Sequence, residues 1–331
     1  MSGIKDIAKK TGLSLATISR VFNNSDIVSD TTREKVLKAA KELDYQPNLT
    51  AAALRSGKSK IIGVIVPEIN NPFFSSIING IEQIAEQHDY RIIIAQSHES
   101  KFKEQVAIQS LIKLNVDGIL ISISQETKGF PFLNKLESNK IPVVFFDRTP
   151  SEKNIKQVVL DDYGGAFIAT EHLIQQGCRS ILHIAGNQEI SIYRERKKGF
   201  KSALLKYSLS YSEQGVIELE MNPTDDSKTL SNIINKNPVD GMFIHGDECC
   251  IHVLTILKKL KVDVPKEIKL IGFGNLKFST LTQPTISTID QCDNEMGKSA
   301  AHALINTLQG SDITLKKVLS PKLIIRESSA I

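Results

Sequence analysis

Positively charged side chains are concentrated at the start of the chain. Residues 1–60 carry 11 lysines and arginines against 6 aspartates and glutamates, whereas the other residues carry 30 against 31. The net charge of +4 over 331 residues therefore comes from the first fifth of the sequence. A small basic segment on a neutral body is typical of a protein that contacts the phosphate groups of nucleic acid. A solvated basic surface without a partner would give the same charge pattern.

Side chains that could carry out catalysis lack the spacing that catalysis requires. The seven histidines form no HExxH pattern, and the sequence has neither a GxSxG motif nor a P-loop. The segment Gly272-Phe273-Gly274 is only half of a dinucleotide-binding GxGxxG. The four cysteines form no CxxC pair, which argues against a zinc site or a disulfide framework. We therefore expect a protein that is not an enzyme and needs no metal or other cofactor.

The composition is that of an ordinary globular protein of about two domains, with 41% apolar and 24% charged residues. No apolar run approaches the about 18 residues that a membrane-spanning helix needs. The first residues lack the apolar segment of a secretory signal peptide. We expect a cytoplasmic protein that does not contact a membrane.

Three short helices are predicted in the basic segment. Apolar residues recur at helical spacing up to Ala8, Gly12 then interrupts the pattern, and Ser14 can cap a second helix that ends near Phe22. Two short helices joined by a turn that contains glycine are typical of a helix-turn-helix. A third helix, capped by Ser29 or Asp30, is expected to follow. Its predicted inner face consists of Val36, Leu37, Ala40 and Leu43.

The stretch from residue 4 to residue 48 resembles the DNA-binding domain of the LacI family of bacterial repressors. The blocks ATISRVFNN, VSDTTREKV and ELDYQPN match the family at its spacing. The resemblance implies a DNA-binding domain over residues 1–46, whose second helix contacts base edges through Leu15, Ala16 and Arg20. Arg20 is suited to two hydrogen bonds with guanine, whereas Leu15 and Ala16 offer only apolar contact. Leu15 could instead be a buried core residue. The resemblance also implies contacts with phosphate groups, which fix the position on DNA rather than read its sequence, by Ser14, Thr17, Asn23, Arg33 and Tyr45. It implies a further DNA contact by Asn48.

Residues 47–59 are implied to form a hinge helix and linker. The segment NLTAAALR favours a helix, but eight residues are too few for a helix that is stable on its own in water. In the LacI family the hinge helix folds on DNA against its dimer mate, and a leucine enters the minor groove at a central base step. Leu54 occupies that position here. A plain linker is the alternative interpretation.

Beyond Lys60, apolar runs of strand length alternate with helical patterns. Near-continuous apolar strands between helices favour parallel sheets that are buried on both faces. Ten strands favour two doubly wound layers rather than one sheet. The predicted strands lie near 61–66, 91–96, 117–123, 141–146, 156–160, 180–185, 216–219, 240–245, 268–273 and 286–290, and the predicted helices near 73–87, 103–114, 130–138, 164–176, 195–206, 225–235, 247–260 and 293–309.

This body resembles the effector domain of the LacI family, which has a periplasmic-binding-protein type I fold. The blocks IIGVIVPEINNPFF, VDGILIS, IPVVFFDR and PTISTID carry the resemblance. It implies a core over residues 60–331 that consists of two subdomains. The N-subdomain comprises about 60–160 and 291–320, and the C-subdomain about 161–290 and 321–331. The fold class is thus an all-α helix-turn-helix domain followed by an α/β core of two parallel-sheet subdomains.

An effector cleft between the subdomains follows from the resemblance, because ligands of open α/β sheets bind beyond the carboxyl ends of the strands. Phenylalanines there could stack on a sugar or a nucleobase, and charged side chains offer charge-assisted hydrogen bonds. The residues implied to line it are Asn71, Phe73, Phe74, Asp147, Arg148, Arg196, Asp247 and Asn275. Phe74 could equally be a core residue, and Arg148 could simply pair with Asp147 or Asp162.

Two positions in the implied cleft depart from the family pattern. The family often has Asn-Asp at Gly246-Asp247 and usually has Asp-Asp at Gly274-Asn275. The usual ligand-binding aspartate is therefore a glycine, Gly274. Either Asn275 substitutes for it, or the ligand differs, or the small-molecule site is degraded.

Together these features predict a homodimeric transcriptional regulator, most simply a repressor, that binds a pseudo-palindromic operator in double-stranded DNA. A small-molecule effector, first of all a sugar or sugar derivative, would control its DNA affinity. Control by a partner protein is one alternative. A solute-binding protein is another, although that class requires a signal peptide and no basic segment. Because no heptad tail follows the last predicted strand, a dimer is favoured over a tetramer.

Overall fold

The computed structural model describes residues 3–22, 27–45, 58–128, 132–152, 154–219, 221, 223–236, 238–311 and 314–330. The chain divides into two compact units, residues 1–60 and residues 61–331. Three residues with an implied DNA contact, Asn23, Asn48 and Leu54, lie outside the described residues. In the described ranges, no helix is both long and apolar enough to cross a membrane.

The first unit contains the predicted helices α1 (Ile4–Thr11), α2 (Leu15–Phe22) and α3 (Asp30–Glu42). Helix α1 ends because Gly12 takes the left-handed conformation (φ 71°), which costs glycine no steric strain. The Ser14 hydroxyl then accepts a hydrogen bond from the backbone N–H of Thr17 (3.1 Å) and caps α2, as predicted.

Among the described residues of this unit, a cluster of six buried apolar side chains holds the three helices together. They are Ile7, Ile18, Val21, Val36, Ala39 and Ala40. The prediction that Leu37 belongs to this core is wrong, since its side chain is 49% exposed. Val36, Ala39 and Ala40 have the i, i+3, i+4 spacing of one helix face, and Leu37 lies about 100° around the helix from Val36.

The N-subdomain is built on a wholly parallel sheet with strand order β11-β5-β4-β3-β1-β2. Its strands are β1 (Ile61–Val66), β2 (Arg91–Gln96), β3 (Gly118–Ile121), β4 (Val143–Phe146), β5 (Lys156–Leu160) and β11 (Lys316–Leu319). Its helices are α4 (Pro72–Gln87), α5 (Lys101–Lys113), α6 (Leu133–Ser138) and α11 (Asp293–Leu308).

The C-subdomain repeats this plan with strand order β12-β10-β9-β8-β6-β7, and only β12 runs antiparallel to its neighbour. Its strands are β6 (Ile181–Ala185), β7 (Val216–Glu218), β8 (Gly241–Ile244), β9 (Lys269–Gly274), β10 (Ser287–Asp290) and β12 (Lys322–Ile324). Its helices are α7 (Asp162–Gln175), α8 (Ser191–Lys206), α9 (Pro223–Lys236) and α10 (Asp247–Lys259), with short 3₁₀ turns at Glu213–Gly215 and Lys277–Thr280.

Helices cover the sheets as the predicted α/β fold requires, and the ten predicted strands are all present. The sequence did not predict β11 and β12. Both are short edge strands with exposed lysines, so neither presents the apolar run that marks a central strand. The chain passes from one sheet to the other after β5, after β10 and after β11.

Candidate functional site

Helix α2 presents an exposed face in the first unit. Ser14, Ala16 and Arg20 are exposed, and the Leu15 side chain is 44% exposed. The alternative that Leu15 is a core residue is therefore wrong, because Ile18 and Val21 occupy the inner face of the helix. An exposed arginine beside small and apolar side chains on a short, capped helix suits insertion into the major groove of DNA.

The side chains with implied phosphate contacts are more firmly held. Thr17 is half-buried, and its hydroxyl lies 2.9 Å from that of Ser14. Tyr45 is also half-buried, with its ring centroid 5.4 Å from that of Phe22. Arg33 is half-buried on α3. These contacts restrict the side chains before any ligand binds.

A cavity of about 210 Å³ lies in the second unit, between the N-subdomain and the C-subdomain. Lining residues that follow β4, β8 and β9 place it at the carboxyl ends of strands from both sheets. Of the eight implied effector residues, seven line it: Asn71, Phe73, Phe74, Asp147, Arg148, Arg196 and Asp247.

Asn275 is the exception and does not line the cavity. Its side-chain N–H donates to Asp290 Oδ2 (3.0 Å), and its carbonyl oxygen accepts from Arg326 Nη2 (2.7 Å). Both ends of the amide are thus occupied by hydrogen bonds to residues that do not line the cavity. The suggestion that Asn275 replaces the aspartate missing at Gly274 is therefore not supported, and Gly274 itself lines the cavity.

Further residues line the cavity, and apart from Gly246 and Gly274 the sequence did not place them there. The most informative are Tyr193, Phe273 and Gln291. Tyr193 precedes Arg196 by three residues and so shares its helix face, which is a signal that the sequence did contain. Phe273 and Gln291 come from β9 and from the second crossing, and only the tertiary fold brings them to the cavity. The others are Ile192, Met221, His245, Gly246, Glu248, Cys249, Gly274 and Leu276.

Arg196 is the most strongly fixed charge in the cavity wall. Its Nε donates to Asp162 Oδ1 (2.8 Å), its Nη1 to the His245 carbonyl (2.6 Å) and its Nη2 to Gln291 Oε1 (3.1 Å). The guanidinium carbon lies 3.6 Å from the centroid of the Phe273 ring. With only 3% of the residue exposed, Arg196 has one orientation from which to meet a ligand.

Arg148 has a partner that the sequence did not suggest. Its Nη1 donates to both carboxylate oxygens of Glu99, at 2.7 and 2.9 Å. Asp147 Oδ2 lies 3.9 Å from Arg148 Nε, so the predicted Asp147 pair is present as the longer contact. In the described part of the chain, Arg148 Nε has no hydrogen-bond partner although it is buried.

Burial dominates the charge state of the two aspartates beside these arginines. It raises the pKa of Asp147, against the lowering effect of Arg148 and of the hydrogen bond from Ser122. It raises the pKa of Asp162 to about 6, although Arg196 opposes the shift. Desolvation also lowers the pKa of His245 to about 4, so that this imidazole is neutral at pH 7.

Asp247 has a structural role in the cavity wall. Its Oδ1 accepts from the Thr288 hydroxyl (2.6 Å), and its Oδ2 accepts from the backbone N–H of Leu276 (2.8 Å). These bonds tie the start of α10 to β10 and to the loop after β9. A ligand would therefore meet a carboxylate whose position is already fixed.

Aromatic side chains form the apolar part of the wall. Phe73 and Phe74 lie in the first turn of α4, which Asn71 caps by accepting from the Phe73 N–H (3.0 Å). Their ring centroids are 5.2 Å apart in an edge-to-face arrangement. Both are buried in the core cluster and also line the cavity, so Phe74 is a core residue as well as a wall residue. Among the described residues, no group of three or more histidine, cysteine, aspartate or glutamate side chains could hold a metal ion.

Comparison with known proteins gives matches to both units. The family described as bacterial regulatory proteins, lacI family, matches residues 3–48, and the periplasmic binding protein domain matches residues 62–312. The HTH-type transcriptional repressor CytR of Escherichia coli (strain K12) is 31% identical over 98% of this chain and 96% of its own length. The ribose operon repressor of Halalkalibacterium halodurans is 29% identical over 99% and 97%. Among solved structures, a complex of the transcriptional regulator CelR with cellobiose is 26% identical over 99% of this chain and 100% of that chain, with a TM-score of 0.73.

Proposed function

Because the chain belongs to the lacI family of bacterial regulatory proteins, we propose that α2 reads a specific operator and that the cavity binds the effector that controls it. The chain is a DNA-binding transcriptional regulator. The observation that supports the proposal most directly is the cavity itself, which seven of the eight implied effector residues line. We propose that the protein acts in the cytoplasm, where bacterial DNA is accessible, and that it catalyses no reaction.

Direct base contact is assigned to Leu15, Ala16 and Arg20, and contact with phosphate groups to Ser14, Thr17, Arg33 and Tyr45. Asn23 and Asn48 belong to the same proposed set, and Leu54 is proposed as the residue that enters the minor groove. The exposed face of α2 supports the first assignment. Hydrogen bonds to phosphates fix the position of the protein on DNA, whereas base contacts select the sequence.

The proposed effector is a small polar molecule of the sugar class. One relative of known structure, the transcriptional regulator CelR, was solved in complex with cellobiose. In this chain, Phe73 can lie against an apolar sugar face, while the carboxylate of Asp147 and the guanidinium of Arg196 offer an acceptor and donors. Because both subdomains supply wall residues, a bound ligand favours one arrangement of the subdomains over another. A coupling free energy to DNA binding of about 1–3 kcal/mol is typical of such control.

We further propose that the regulator acts as a homodimer on a pseudo-palindromic operator. Edge strand β2 and helix α5 expose Ile94, Phe102 and Val106, with Phe102 72% exposed. In the C-subdomain, Phe278 and Leu281 are exposed, the latter by 82%. An apolar edge strand is a hazard unless another chain covers it. A second copy of the same chain would cover both patches and present two copies of α2 to two half-sites.

The test of this function is selection of binding sites from random duplex DNA by the full-length protein, followed by affinity measurements on the enriched sequence. We expect two related half-sites. Arg20→Ala should relax the base preference at one position of each half-site, with a loss of about 1–3 kcal/mol per contact. Arg33→Ala should instead weaken all sequences alike and reduce the salt slope by about one. Enrichment of no sequence, or equal behaviour of the two variants, would contradict the proposal.

Control by a partner protein is the second candidate, and the glycine at residue 274 favours it. Gly274 lines the cavity without a side chain, and Asn275 turns away from it. If the cavity binds no small molecule, no such compound should change the operator affinity. A partner protein that binds the full-length regulator should then change the operator affinity instead.

A further inference from the structure

The charges around the cavity point to a ligand without negative charge. Two guanidinium groups, Arg148 and Arg196, line the cavity. Five carboxylates either line it or pair with these two arginines: Glu99, Asp147, Asp162, Asp247 and Glu248. His245 adds no charge, since desolvation lowers its pKa to about 4. Burial raises the pKa of Asp147 and of Asp247, but even with both protonated, the carboxylates of Glu99, Asp162 and Glu248 outnumber the two guanidinium groups.

Each guanidinium already has a carboxylate at hydrogen-bond distance. Asp162 binds Arg196 from the C-subdomain side, and Glu99 binds Arg148 with both of its oxygens. An incoming phosphate or carboxylate would compete with these fixed partners at close range. Like charges placed together in a poorly solvated site repel one another strongly.

Glu99 does not line the cavity but stands behind Arg148, and its position is specified by the backbone. His98 and Glu99 are both in the left-handed region, with φ values of 48° and 57°. Two consecutive non-glycine residues in that region are strained, and such strain persists only where the surrounding structure enforces it. Here the backbone N–H of Gln125 donates to Glu99 Oε2 (2.9 Å), which holds the carboxylate against Arg148.

We propose that Glu99 is a specificity-determining residue that neutralises Arg148 and thereby restricts the cavity to ligands that carry no anionic group. This inference rests on the proposed function of the cavity. Glu99 acts through Arg148 and is therefore a positioning residue. Without the Glu99 carboxylate, the positive charge of Arg148 in the cavity wall would lack its closest counter-charge, and the cavity would accept an oxyanion.

The experiment is a calorimetric titration of the full-length protein with inorganic phosphate at constant ionic strength. Glu99→Gln should raise the affinity for phosphate on the order of tenfold over the wild type. The double variant Glu99→Gln/Arg148→Gln should lose that gain. Glu99→Asn serves as a second variant if the Glu99→Gln protein does not fold, because asparagine tolerates the left-handed backbone region.

A matched control removes a carboxylate of similar chemistry elsewhere. Glu171 accepts hydrogen bonds from Lys206 Nζ and Tyr207 Oη, both at 2.8 Å, and does not line the cavity. Glu171→Gln makes the same change in net charge and should leave phosphate affinity at the wild-type value. It also reports any binding of phosphate at other sites of the protein.

The proposal is overturned if Glu99→Gln and Glu171→Gln bind phosphate equally, or if the wild type already binds phosphate through Arg148. A regulator that responds to a phosphorylated effector would likewise overturn it, while the proposed function would remain. If no small molecule affects DNA binding, the proposed function fails, and the phosphate titration still decides the role of Glu99.

Discussion

At the scale of single residues, the cavity is a set of buried charges that hold one another in place. Arg196 and Asp162 illustrate this, since both are buried and each satisfies the other. Removing one member of a buried ion pair leaves an uncompensated charge, which costs more than the pair contributes.

Arg196→Met should therefore lower the free energy of unfolding by about 3 kcal/mol, in addition to abolishing the response to the effector. The expected loss is measured by urea unfolding of the full-length protein. Arg194→Met is the matched control, because Arg194 lies on the same helix but is exposed and donates to the backbone carbonyls of Gln188 and Glu189. It should cost less than about 1 kcal/mol. Equal losses would show that the burial of the Arg196–Asp162 pair has no energetic consequence.

The raised pKa of Asp162 makes a prediction about pH. The folded protein holds this proton with a pKa of about 6, against an ordinary value of 3.8. Protonated Asp162 therefore stabilises the folded state fully below its ordinary pKa of 3.8. This stabilisation is lost as the pH rises through about 6. Relative to the wild type, Asp162→Asn should become more stable by on the order of 1–3 kcal/mol as the pH rises from about 4.5 to about 7.5. Parallel stability curves for the two proteins would contradict the assignment.

Some of these residues could be identified from the sequence and others could not. Asp147 lies near the end of the block IPVVFFDR, and Arg196 lies near the start of the helix predicted at 195–206. Glu99 could not be identified, because its role depends on a strained turn that places it behind Arg148. Asn275 was assigned to the cavity wrongly, since the direction of a side chain in a loop depends on partners distant in sequence, here Asp290 and Arg326.

At the scale of elements, the proposed DNA-contacting surface depends on a helix of only eight residues. Helix α2 (Leu15–Phe22) is too short to be stable alone, so its cap and its packing on α1 and α3 maintain it. The Ser14 hydroxyl provides that cap.

Ser14→Ala should destabilise α2 by about 1 kcal/mol, because it leaves a backbone N–H of the first turn without its acceptor. Amide hydrogen exchange of α2 in the full-length protein measures this local opening. Ser29→Ala is the control, since Ser29 begins α3 without a side-chain capping bond. Faster exchange in α2 for the first variant only is the expected result. Similar exchange in both variants would rule out a specific role for the Ser14 cap.

The order of helices and strands followed from apolar periodicity, because central parallel strands are continuously apolar and helices show one buried face. The same reasoning missed β11 and β12. Their residues are lysine-rich and gain order only by pairing with β5 and β10. Edge strands that must avoid aggregation carry the weakest strand signal in the sequence.

At the scale of the whole molecule, the regulator is proposed to function only as a pair. The exposed Phe102 and Leu281 belong to different subdomains, and a second copy would cover both. Dimer formation would then depend on the relative position of the two subdomains. A ligand bound between the subdomains affects that position, and through the dimer it affects DNA binding.

Phe102→Asp should convert the dimer to a monomer at concentrations where the wild type is dimeric, because a charge would be placed in a desolvated apolar contact. Sedimentation velocity measures this. Leu205→Asp is the control, since Leu205 is 57% exposed on α8 and is not part of the two proposed patches. Operator affinity should be lower for Phe102→Asp than for the wild type, whereas Leu205→Asp should keep the wild-type affinity. A wild-type protein that is monomeric in solution would contradict the proposed assembly.

The most direct test of the central claim is thermal unfolding of the full-length protein against matched pairs of ligands, each an uncharged sugar or nucleoside and its phosphate ester. One uncharged compound should stabilise the wild type, by about 2.7 kcal/mol at a concentration one hundred times its dissociation constant. Its phosphate ester should not, and the stabilisation should be absent in Arg196→Met. Stabilisation that survives Arg196→Met, or that is greater for the phosphate esters, would contradict the proposal that this cavity is an effector site for ligands without negative charge.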